Sequence, residues 1–121
     1  MTLFDRYLKG ETTDVYNDFY ALGQEALNPG NFIQTDLILN ETFKRVKFNL
    51  EIIYKELKTI NYQFVSNIEH NLQKPLLPPD PNVDFLLSEL KFKIKNAGHI
   101  PLSLEYFYRI VGSCNFCWNW E

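Results

Sequence analysis

Between Thr35 and Ile60 the chain reads TDLILNETFKRVKFNLEIIYKELKTI. Seven of its apolar residues, Leu39, Phe43, Val46, Leu50, Ile53, Leu57 and Ile60, follow spacings of 4, 3, 4, 3, 4 and 3. That rhythm draws one continuous stripe down a helix and does not suit a strand, whose faces alternate every residue. Glu41 before Arg45 and Glu51 before Lys55 are acid-before-base pairs four residues apart, the spacing that supports a helix. Phe48 and Ile52 lie four apart on a different face, so the middle of this helix is apolar on two sides. Either it runs between two layers of its own domain, which is the commoner arrangement, or the second face docks a partner.

Shorter helices are expected on both sides of the long one. Residues 2–9 place Leu3, Phe4, Tyr7 and Leu8 on one side, and Gly10 ends the turn. A second helix starts after Thr12 or Thr13 with Asp14 in its first turn, buries Val15, Phe19 and Leu22, and stops at Asn28-Pro29-Gly30. Residues 75–81, PLLPPDP, hold four prolines in seven residues and read as a stiff extended connector. Asp80 or Asn82 is placed to cap a third helix through about Asn96, with Val83, Leu86 or Leu87, Leu90 and Ile94 inward and Gly98 closing it. Ser103 is placed to cap a short helix in which Leu104, Phe107, Tyr108 and Val111 pack inward, ending at Gly112.

In the last segment Cys114, Phe116, Trp118 and Trp120 share one parity, the pattern of a half-buried strand. A lone strand is not stable, so it has to pair with residues 62–65, where Tyr62 and Phe64 alternate with polar residues, with another chain, or with sequence past Glu121. The expected fold is mainly α, of the α+β class: a long central helix with three or four shorter ones and a short C-terminal strand. The expected organisation is one domain, 1–121, truncated if that strand finds no mate.

Aromatic residues make up 16% of the chain, enough large rings to give a small domain much buried area. The formal net charge of −3 argues against nucleic-acid or anionic-membrane binding, which both start from positive charge. The lysines and arginine of the long helix, Lys44, Arg45, Lys47, Lys55 and Lys58, read as its solvated side, diluted by Glu41, Glu51 and Glu56. No apolar run approaches a membrane span, and the start MTLFDRYLKGE lacks the apolar core of a secretory signal, so a cytoplasmic location is expected.

Cys114-Asn115-Phe116-Cys117 is the one chemically suggestive motif. A structural zinc needs four ligands, and His70 and His99 are not in ligand spacing with these thiols or with each other. A redox pair needs its first cysteine at a helix N-terminus after a strand, whereas this motif follows a helix and enters a strand. Plain packing cysteines are the expected reading, and no metal, cofactor or catalytic set can be assembled.

Leu86 through Phe116 has a helix containing Glu89, then Gly98, an Ile100-Pro101 step, a short aromatic helix with Leu104 and Phe107, and Gly112 leading into a strand. This order resembles the SUKH superfamily of bacterial immunity proteins, over about a quarter of the chain. The segment from Glu41 to Phe64, followed by the proline break, is also similar to a group of uncharacterised bacterial proteins with the same order of parts. The resemblance implies a non-enzymatic protein that binds and neutralises a partner, and it carries over no individual functional residue. The candidate partner-binding residues are therefore Phe48, Ile52, Trp118 and Trp120. The alternatives are a thiol redox or zinc protein using Cys114 and Cys117, and a structural homodimer.

Overall fold

The computed structural model describes residues 1–65 and 74–119, and divides into two compact units, Met1–Thr42 and Phe43–Glu121. The architecture is mainly helical with one small antiparallel sheet, the class expected from the sequence.

In the first unit, α1 (Leu3–Leu8) begins with a capping box: the Thr2 side chain accepts from Asp5 N–H, and the Asp5 carboxylate accepts from Thr2 N–H. These bonds hold the Asp5 carboxyl below its ordinary range. The chain turns at Gly10 (φ 100°) into α2 (Thr12–Leu22), and Arg6 ties the two helices by donating to Glu11 at 2.8 Å and Asp18 at 2.7 Å. A 3-10 turn, Gly23–Leu27, then leads into the long helix.

That helix, α3, spans Pro29–Thr59 and so starts six residues earlier than its stripe suggests. Asn28-Pro29-Gly30 does not stop a helix here; it starts one. Asn28 is extended (φ −64°, ψ 144°), and its carbonyl accepts from Asn31 and Phe32 N–H. Proline suits the first helical position, where its missing N–H would have had no partner. The unit's core is Tyr7, Val15 and Ile38, with Leu3, Phe4 and Phe19 against it, and Val15 and Ile38 are 0% exposed. Leu8, expected inside, is exposed.

In the second unit the proline-rich segment is more than a connector. Leu76–Leu77 (β1) pairs antiparallel with Ser113–Cys114 (β2), in the register Leu76↔Cys114 and Leu77↔Ser113. These two leucines keep the N–H groups that the flanking prolines lack, so a two-residue edge strand fits between them. The expected pairing of the C-terminal segment with residues 62–65 is present as a bridge between Phe64 and Trp118. It is flanked by Val65 N–H to Cys117 O at 3.0 Å and Asn119 N–H to Gln63 O at 2.8 Å.

The segment also folds back on α3, but at Tyr54, whose ring meets Phe64 at 5.4 Å and stacks on Phe116 at 6.1 Å. The stripe is covered only where another element lies on it. Phe43 meets Phe107, whereas Ile53 and Ile60, expected in the core, are exposed.

Two further helices complete this unit. Pro81 and Asn82 precede α4 (Val83–Ile94), and Leu102–Tyr106 forms α5 after Ile100-Pro101, with Ile100 buried. Ser103 makes no capping bond, because the helix has already begun at Leu102 behind Pro101. A π-helical turn, Phe107–Val111, follows directly, closed by Gly112 N–H donating to Phe107 O at 3.0 Å. This turn rotates the expected inner face. Glu105, Tyr106 and Val111 are buried, while Leu104 and Tyr108 are exposed.

Candidate partner-binding cleft

α4 has apolar residues at 83, 85, 86, 87, 90, 92 and 94, on every side of the helix. Only Leu87 is buried. Phe85 is 64% and Phe92 69% exposed, and Leu86 and Leu90 are also open. Leu86 and Leu90 line one side of a cleft of about 560 Å³, and the proline segment Leu77–Pro81 forms the other. Tyr108 and Ser113 are at its floor and edge. A cleft of that size, walled by apolar side chains with few polar groups, has the general character of a ligand or docking site.

Local chain geometry holds the two walls apart. Gly112 is buried with φ +99°, and a Cβ at that position would lie 2.2 Å from Leu77 O and 2.5 Å from the Pro78 carbonyl carbon. Only glycine lets the π turn come this close to the proline wall. The other end of that wall is fixed to the start of α4, where the Asp80 carboxylate accepts from Asn82 N–H at 2.7 Å and its carbonyl from Val83 N–H at 3.0 Å.

Behind the cleft lies a charged group that the sequence reading missed. The Glu105 side chain is 7% exposed, and its Oε1 is ion-paired to Lys91, with Arg109 Nη2 at 3.9 Å. No directed hydrogen bond reaches that oxygen, so its charge is met by the two cations alone. Arg109 in turn donates to Asp84 at 2.8 Å. These four charges tie α4 to α5 and the π turn, so the exposed leucines stand on a braced helix.

The residues picked from the sequence are not brought together. Phe48, 63% exposed, and Ile52 are open on α3, which overturns the expectation that an inner layer covers them. The C-terminal segment reaches α3 on a different face, at Tyr54. Trp118 is exposed but leans on Tyr62 at 4.8 Å. Trp120 and His70 lie outside the described residues.

Cys114 and Cys117 are free thiols; Cys114 is partly buried, and that burial pushes its thiol up, while Cys117 is exposed. Among the described residues no group of three His, Cys, Asp or Glu is placed to hold a metal. His99 is exposed. No described helix is long and apolar enough to cross a membrane.

The sequence did hold a signal for this cleft. The choice between Leu86 and Leu87 as inward residue arose because α4 is apolar all round, and such a helix is either enclosed or docked by something else. No family model, curated protein or solved structure matches the chain.

Proposed function

We propose that this chain is a protein-binding module whose docking surface is the cleft between α4 and the Leu77–Pro81 wall. The single observation that carries this reading is the exposure of Phe85, Leu86, Leu90 and Phe92 on a helix braced from behind by ion pairs. Exposed apolar surface of this extent on one helix is the usual mark of an interaction site. Phe85 and Phe92 fall outside the cleft lining, so the apolar surface is wider than a small ligand would cover. Burying such residues against a partner is the main favourable term in most protein association.

The resemblance to the SUKH superfamily gives the finer version, an immunity-like protein that neutralises its partner by occupying it. The matching order of Glu89, Gly98, Ile100-Pro101 and Gly112 runs through α4 and the π turn, the same elements that build the cleft.

The test is reconstitution from purified components of any protein that co-purifies with the chain, followed by amide hydrogen exchange. Protection of Val83–Ile94 on complex formation, and loss of the complex in Leu86→Asp/Leu90→Asp, are expected. Protection confined to Phe48–Ile53 or to residues 114–119 would overturn this assignment.

A further inference from the structure

We infer that the occupant of this cleft is an amphipathic helix running antiparallel to α4, acidic toward its N-terminus and basic toward its C-terminus. This rests on the docking reading above and adds the chemistry of the partner.

The proline wall excludes one recognition mode. Pro78, Pro79 and Pro81 have no N–H to donate, so an extended peptide cannot add to that wall as a strand. Affinity has to come from side chains. Leu86 and Leu90, one turn apart, form a short ridge with a trough beside it, the form that receives apolar residues of a second helix at spacings of three, four and seven.

The charges at the rim give the direction. On the inner side of α4 they are already used within the fold: Asp84 pairs with Arg109, and Lys91 with Glu105. At the cleft itself Asp80 lines the N-terminal end, and Lys93 follows Leu86 by seven residues and Leu90 by three, on the same side of the helix. Neither forms an ion pair among the described residues, and Glu89, one turn before Lys93, forms none either. The rim is therefore acidic at one end and basic at the other, about 18 Å apart for a helix of this length.

An occupant helix that meets Lys93 with an acid and Asp80 with a base runs opposite to α4. That arrangement puts its acid near its own N-terminus and its base near its C-terminus, where the helix dipole favours them. Opposite charge at both ends would set orientation and partner choice more than total affinity.

The experiment is a random-peptide display selection on the full chain, run in parallel on Leu86→Asp/Leu90→Asp. Enriched peptides should carry apolar residues three and four apart over about three turns, with acids first and bases last. They should bind the double variant at least tenfold more weakly. The charge-exchanged variant Asp80→Lys/Lys93→Asp should bind peptides of reversed charge order instead. Cleft-dependent peptides that are proline-rich, extended or without charge order would overturn the helix inference and leave the docking reading intact. Peptides enriched equally on the double variant, or no enrichment, would overturn both. Self-association in light scattering that is lost in the double variant would make a second copy the occupant and overturn the partner-helix inference.

Discussion

The two units use their apolar residues differently. In Met1–Thr42 the largest of them close on each other: Val15 and Ile38 are fully buried, Tyr7 nearly so, and the ends of α1 are satisfied by a reciprocal cap. In Phe43–Glu121 the same kinds of residue are left open along α4, while a carboxylate, Glu105, is buried in their place. A chain selected only for stability would do the reverse, because burying a charge costs free energy that burying a leucine supplies. The contrast shows that α4 is held rigid from behind and left uncovered in front, as a docking helix has to be.

The largest effect is expected at the point where the second unit is assembled. Gly112→Ala places a methyl group inside the Leu77 and Pro78 carbonyls and strains a positive-φ residue, and should cost about 4 kcal/mol or more in chemical denaturation. A loss under about 1 kcal/mol would mean that the proline wall moves freely, and the cleft would not be a preformed site.

Next is the comparison of a buried with an exposed aliphatic residue. Ile38→Ala should cost about 3 kcal/mol, whereas Leu90→Ala should stay within about 0.5 kcal/mol. Equal losses would show that α4 is core after all, and would break the contrast between the units. A smaller effect is expected from Lys91→Ala, about 1 kcal/mol. It leaves Glu105 buried with only Arg109 near it, but Lys91 is itself half exposed, so solvent already screens the pair. Lys91→Arg should recover most of that loss in the same denaturation assay.

The smallest effects are local. Because the folded-state value of Asp5 is depressed, the contribution of its cap is present above its ordinary value of 3.8 and lost as pH falls through the lower folded value. A slight acid fraying of α1, read by amide exchange at residues 3–8, is expected and should disappear in Thr2→Ala. Thiol labelling at neutral pH should modify Cys117 first, since burial holds Cys114 in its protonated form.

What the sequence showed and what it hid follow the same divide. The stripe from Leu39, the capping residues around Thr2, and Val15 as an inner residue of α2 were legible, since local periodicity and capping decide them. The pairing of the C-terminal segment with residues 62–65 was also legible, because an alternating strand needs a mate. Pro29 was misread because a proline reads as a stop until the geometry of the preceding Asn28 shows it at a first helical position.

The π turn could not be foreseen. One extra residue in a turn leaves no mark in the spacing of apolar residues, yet it exchanges which of Glu105, Phe107 and Tyr108 face inward. The cleft was half visible, as a helix apolar on all sides, but the wall opposite it depends on Gly112 meeting a distant carbonyl. No local pattern reports that contact.

The most direct measurement sets stability against binding in one variant, Leu86→Asp/Leu90→Asp, using melting temperature and the affinity of a peptide selected on the full chain. An open docking helix predicts a melting temperature within about 2 °C of the parent and at least a tenfold weaker Kd. A fall of about 10 °C or more, or an unchanged Kd, would contradict it, the first by showing that the leucines hold the fold and the second by placing the partner elsewhere.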